Sequence, residues 1–336
     1  MKNVHKKKYL GDIITDDMNN YENIKEKTNK AIGIVKKIST TLIERPYGKH
    51  HFKAARLMRE SMLLGSMLNN AESWININKT DLNNLEKPDT ILQKLILSAK
   101  GSPSKVFMYL ELGILPVKYV IMEKRLKFLR YILNEDMSSM IRQVYETLKL
   151  DSRKGDFVYL IKQDMEDLDL ELTEEEIQIC TKIQWKKFIH ERVKYFALFS
   201  LTEENKHKSK TKHIKFETLT MRKYLEKNQN TSLSKIIFSV RSGTMDIKIW
   251  NEWNYHDTLC VMCALEDENI EHFMTCGLYG NKIEIPWTDI FENDSDTQCL
   301  IAIEIKRRQH MRKNKIEEVG LPHNLAPLLQ ISVEQQ

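Results

Sequence analysis

Apolar positions recur at helical spacing along nearly the whole chain, and only one short stretch alternates. From Lys8 to Ile14 apolar and polar side chains take turns, the period of a strand, and Thr15 or Asp16 can cap a helix after it. Met18, Tyr21, Ile24, Thr28, Ala31, Ile32, Val35 and Ile38 then fall at helical intervals. A second helix is predicted over residues 49–70, and a third is split near Pro88 and stops by Gly101. With no other strand legible, the expected fold class is mainly α: an N-terminal strand remnant, a helical bundle, and a second helical region.

Residues 102–116 predict a short helix ended by Gly113 and a longer one opened by Pro116 and running to about Asn134. The longer helix turns Tyr119, Val120, Leu126, Leu129, Ile132 and Leu133 inward, and Lys124, Arg125, Lys127 and Arg130 outward. That basic face is either solvated or turned to phosphates. An acidic surface follows at residues 164–171. A capping pattern at Thr173 then starts a long helix through Ile177, Ile183, Trp185, Phe188, Ile189 and Phe196, whose aromatics read as core.

Charge changes the picture after residue 205. Lys206, Lys208, Lys210, Lys212 and Lys215 form a basic run that breaks the periodicity, and Arg222, Lys223, Arg241 and Lys248 continue it. Trp250 and Trp253 interleave flat rings with these cations, a mixture suited to phosphates and unstacked bases, so RNA or DNA is the expected partner. The chain's net charge is only +5, from 52 basic and 47 acidic residues, so clustering carries this reading rather than the total. Its 336 residues suffice for about two domains. No apolar run reaches a membrane span, the basic start is followed by no apolar signal core, and no motif for a small-molecule substrate is legible.

The sharpest chemistry lies between Cys260 and Cys276, where the spacing is C-x2-C-x8-H-x3-C. Two cysteines separated by two residues can turn both sulfurs inward from one tight knuckle. His272 and Cys276, four apart, share one face of a helical turn. Soft thiolates with one imidazole favour zinc over magnesium or calcium, so Cys260, Cys263, His272 and Cys276 are the expected zinc ligands. Only Cys180 and Cys299 remain, too few for a disulfide framework, which points to a reducing compartment, nuclear or cytoplasmic.

The segment Arg241-Ser242-Gly243-Thr244 through Lys248, with Asn251, Asp257, the cysteine pair, Glu266, Glu271-His272 and Cys276, resembles the CCHC zinc knuckle region of non-LTR (LINE-type) retrotransposon reverse transcriptases. Residues 111–116, Glu-Leu-Gly-Ile-Leu-Pro, resemble a linker of those proteins, and Tyr9-Leu10-Gly11 is similar to the strand that follows their polymerase palm. The resemblance implies an end of palm at 1–16, a thumb-like bundle at 17–101, a connecting helical region at 102–249, the knuckle at 250–280 and a helical tail at 281–336. It also implies a nucleic-acid-binding fragment without polymerase activity of its own. The alternatives are part of a full-length RNA-directed DNA polymerase whose palm lies upstream of Met1, and an inert retrotransposon relic.

Two motifs imitate catalysis. Asp16-Asp17 does not stand at a turn between two apolar strands: a polar helix follows it, so it reads as a helix cap rather than a magnesium site. Glu304-Ile305-Lys306, with Asp289, Asp294 or Asp296 upstream, imitates a nuclease metal motif, but Ile301, Ile305, Arg308 and Arg312 equally suit an amphipathic helix. No catalytic residue is expected.

Overall fold

Helical periodicity is realised throughout the computed structural model, which describes residues 6–9, 12–15, 20–44, 50–75, 77–99, 101–227, 230–250, 257–280, 285–292 and 295–319. The fold is mainly α, as expected. The chain divides into two compact units. One contains residues 1–96 and 104–221, the other residues 97–103 and 222–336.

The first unit begins with a hairpin, not the single strand that the alternation suggests. Lys6–Tyr9 (β1) and Asp12–Thr15 (β2) pair antiparallel, with Lys6 opposite Thr15 and Tyr9 opposite Asp12. Asp12 ties this hairpin down: Lys27 reaches it at 2.8 Å, and the side-chain amides of Asn23 and Asn70 donate to it. Helix α1 (Tyr21–Glu44) then buries Ile24, Ala31, Val35, Ile38 and Leu42, the face its spacing marks, although Tyr21 and Ile32 stay exposed.

The predicted second helix is built in three pieces, α2 (His51–Met58), a π turn (Arg59–Leu64) and α3 (Gly65–Met67). The third, α4 (Lys79–Leu97), runs unbroken through Pro88. A proline inside a helix costs about 3 kcal/mol; here it is offset by what the surrounding turns bury, Leu85, Leu92 and Ile96 on the apolar side and Asp89 and Gln93 on the polar. Asp89 is fully enclosed and receives a fork of two hydrogen bonds from Arg59, at 2.6 and 2.7 Å, as well as the Tyr109 hydroxyl and the Gln93 amide. Arg59 also donates to the Leu115 carbonyl at 2.8 Å. One buried ion pair thus joins the π turn, α4, α5 (Lys105–Leu112) and the turn after it.

Gly113 ends α5 in the left-handed region at φ +61°, as the sequence predicts, and Ser104 caps its start. Helix α6 (Val117–Leu133) follows from Pro116. Its basic face is only partly solvated, and each of its four cations already has a partner within the unit. Arg125 is buried and paired with Asp164 at 2.6 Å, Lys124 meets Glu72, Lys127 meets Glu123, and Arg130 donates to the Cys180 carbonyl.

Next come α7 (Met140–Leu150), α8 (Phe157–Asp167), α9 (Glu174–Ile179) and α10 (Lys182–Lys206). The long helix expected from Thr173 is two helices, because Thr181 and Gln184 form a second capping box directly after the one at Thr173 and Glu176. Trp185 anchors α10 to α6 by donating its indole N–H to the Leu126 carbonyl at 3.0 Å.

In the second unit, α11 (Lys223–Glu226) and α12 (Thr231–Arg241) pack with α14 (Ser295–Val319), and the short α13 (Ile270–Thr275) lies in the knuckle. Leu300 to Lys306 is helical, part of α14, so the nuclease-like motif does not stand at the end of a strand. Among the described residues no helix is long and apolar enough to cross a membrane.

Candidate metal centre

The knuckle is assembled from a minimal hairpin and one helical turn. Leu259 pairs antiparallel with Asp267, the Cys260 N–H donates to the Glu266 carbonyl at 2.7 Å, and the Glu268 N–H donates to the Thr258 carbonyl at 2.7 Å. Between these strands the chain turns after Cys263: the Ala264 N–H returns to the Cys260 carbonyl at 2.8 Å, and Ala264 itself takes φ +53°. Asn269 caps α13 by accepting from the His272 N–H, and the Cys276 N–H closes on the His272 carbonyl at 2.7 Å. Cys260 and Cys263 therefore enter from the hairpin, His272 and Cys276 from the helix.

The donor atoms of Cys260, Cys263, His272 and Cys276 all lie within 4.8 Å of one another, so the four can hold a metal ion. Sulfurs around a tetrahedral zinc stand roughly 3.8 Å apart, and small inward movements would bring this cluster to that spacing. The imidazole is already oriented. Glu266 occupies its Nδ1 at 3.1 Å, which leaves Nε2 pointing inward, 3.2 Å from the Cys263 sulfur. A carboxylate on the far nitrogen of a ligating histidine is the usual support for a metal-bound ring. The thiols differ. Burial, reinforced by the neighbouring thiolates, pushes Cys260 up to about 12. Burial also raises Cys263, but the N–H groups of Leu265 and Glu266 and then the His272 ring outweigh it and bring that thiol down to about 7. All five cysteines of the chain are free of disulfides.

Arginines from α14 brace the knuckle from behind. Arg308, wholly buried, donates to the carbonyls of Phe273 and Cys276 at 3.0 and 3.4 Å and is held by Glu304. The Phe273 carbonyl is one that a short helix leaves unpaired at its end, and the Cys276 carbonyl also accepts from the Tyr279 N–H at 3.2 Å. Arg312 makes a fork to Glu268, a fully enclosed carboxylate that also accepts from the Lys248 N–H. Glu268 thereby connects the hairpin, the segment before it and α14. In the sequence Arg308 and Arg312 mark only the basic end of an amphipathic helix; the knuckle groups they reach, Phe273, Cys276 and Glu268, lie 32 to 44 residues away, and no local pattern reveals that.

The residues expected to contact nucleic acid separate into two groups. Lys206, Lys208, Lys210, Lys212 and Lys215 belong to the first unit and lie at its surface, where Lys206 pairs with Glu203 and Lys208 with Glu204. Lys223, in the second unit, is exposed as well. Arg222, Arg241 and Lys248 are buried, and for Arg241 and Lys248 the structure shows the reason. Arg241 donates to the carbonyls of Ile290, Phe291 and Glu292 and lies over the Tyr224 ring, and Lys248 pairs with Asp257 at 2.7 Å. These two cations serve the unit's interior and are not offered to a phosphate. Trp253, the Trp250 side chain and Asp16-Asp17 lie outside the described residues.

The chain matches no protein-family model, no curated protein and no solved structure.

Proposed function

We propose that this chain binds RNA or DNA through a displayed basic turn in its first unit, and that a zinc ion on Cys260, Cys263, His272 and Cys276 holds its second unit folded. Three thiolates and one imidazole support zinc as the ion. The reading agrees with the resemblance to the C-terminal part of a non-LTR retrotransposon reverse transcriptase, and on it the chain has no polymerase activity of its own.

The observation that carries nucleic-acid binding is the construction of residues 205–215. Asn205 and Thr211, both buried, clamp the turn: the Asn205 amide donates to the Thr211 carbonyl at 2.9 Å, and the Thr211 hydroxyl donates to the Asn205 side-chain oxygen at 2.7 Å. Ile214, Phe216 and Leu219 then anchor the exit of the turn. A lysine run that served only solubility would have no need of a buried clamp. Here Lys206, Lys208, Lys210, Lys212 and Lys215 are held out together, and a phosphate backbone can displace the weak surface pairs to Glu203 and Glu204.

Binding to single-stranded RNA or DNA should weaken with salt by about 0.7 log units per log unit for each phosphate neutralised. Replacing Lys208, Lys210, Lys212 and Lys215 with Ala should flatten that slope. A slope left unchanged by the four substitutions would refute the assignment. Elemental analysis should find one zinc per chain.

A further inference from the structure

Long amphipathic helices hide their aromatics, and α10 hides only some. Trp185, Ile189, Val193, Ala197 and Leu201 are buried at four-residue intervals and account for its attachment to the first unit. On the opposite face Phe188, Tyr195 and Phe199 remain 43%, 67% and 57% exposed. Their spacing of seven and four residues sets them in one row along the helix, about 16 Å from first to last at 1.5 Å per residue. Lys206 continues the same row seven residues on and begins the clamped basic turn.

Charge distinguishes this row from an ordinary apolar docking face. Between Lys182 and Lys215 the chain carries ten cations and three carboxylates, a net of +7, which exceeds the +5 of the whole molecule. All of the chain's positive excess is therefore gathered on and beside the helix that exposes the three rings. A row of flat rings that runs into a cationic turn suits one class of ligand best, a single strand whose bases stack on the rings while its phosphates meet the lysines. A duplex offers its phosphates but keeps its bases stacked inside.

We infer that the outward face of α10 is a stacking platform for single-stranded nucleic acid, with Phe188, Tyr195 and Phe199 taking bases and the Lys206–Lys215 turn taking the backbone. This rests on the nucleic-acid-binding reading above and adds to it the strandedness of the ligand and the residues that select it.

The test uses the full chain and fluorescein-labelled oligo(dT), oligo(U) and a mixed-sequence DNA duplex, with binding followed by anisotropy at several salt concentrations. Leucine keeps apolar bulk but loses the flat face. Tyr195→Leu with Phe199→Leu should therefore weaken single-strand binding about a hundredfold, roughly tenfold for each ring, with duplex binding and the salt slope unchanged. Adding Phe188→Leu should extend the loss. Because that ring also lies 5.9 Å from Trp185, the double variant serves as the control whose folding is least affected. Tyr195→Phe should bind as the parent does. If the parent binds single strands and the leucine variants bind them equally well, the platform is wrong while the basic turn stands. If the parent binds no nucleic acid at low salt, both readings fail. A mass that rises with concentration, and falls back in the leucine variant, would make this face a contact between copies of the chain and would overturn the inference.

Discussion

Both units place arginines in their interiors, but for different purposes. In the first unit Arg59 meets a carboxylate, Asp89, in a two-pronged ion pair surrounded by a continuous apolar core. In the second, Arg241 and Arg308 meet backbone carbonyls at the ends of short turns, while Arg312 meets an enclosed carboxylate, Glu268. The contrast follows from the lengths of the elements. Helices such as α1, α4, α6 and α10 satisfy most of their own carbonyls and bury wide apolar faces. In the six residues of α13 and the five of the 3₁₀ turn Trp287–Phe291, the carbonyls at the end make up a much larger share of the element. Short elements need outside donors, and the knuckle adds a cluster of four side chains that can hold an ion.

Removing the ion should separate the two units most clearly. In small zinc fingers metal binding is worth about 10 to 16 kcal/mol of folding free energy. A strong chelator, or Cys263→Ser without chelator, should make residues 257–280 protease-sensitive while residues 17–135 stay resistant. A protected knuckle in metal-free protein would show that the arginine braces suffice by themselves. The converse substitution acts on the other unit. Asp89→Ala leaves Arg59 charged and enclosed, which should cost about 3 to 5 kcal/mol. The melting of the first unit should shift while zinc content remains one per chain. Coincident loss of the metal would mean that the two units unfold together.

Smaller changes sharpen the contrast within the second unit. Glu266→Ala frees the Nδ1 of His272, and loss of such an outer partner typically weakens metal binding 10- to 100-fold. Competition with a chromophoric chelator measures this directly. Glu304 gives the pH dependence. Arg307 first, and Arg308 behind it, hold its carboxyl below the usual glutamate value. Its contribution is therefore present above about pH 4.3 and is lost as pH falls through the lower folded-state value. Glu304→Gln should flatten the acid limb of the second unit's stability by less than about 1 kcal/mol, and an unchanged limb would place the acid sensitivity in the metal ligands alone.

What is legible in the sequence has local causes. The four knuckle ligands follow from their spacing, and the joint between α5 and α6 follows from Gly113 and Pro116, because turn chemistry is written in adjacent residues. Positions that the sequence misplaces depend on distant partners. Periodicity puts Arg125 at a surface, whereas Asp164, 39 residues on, draws it inside; charge clustering offers Arg241 to phosphates, whereas carbonyls some 50 residues on receive it. Phe188 on α10 reads as core for a related reason. Helical spacing marks it as apolar, but which of a helix's two apolar faces finds a neighbour is decided by tertiary packing.

Gly113 has a consequence for the path of the chain. A side-chain carbon there would fall 2.1 Å from the backbone of Thr220, so the joint between α5 and α6 passes against residues 220–221 with no room for even a methyl group. Those are the last two residues of the first unit. The place where the polypeptide leaves the helical body is thus set by a missing carbon atom more than a hundred residues earlier, and whatever follows Met221 departs from a fixed point of the fold.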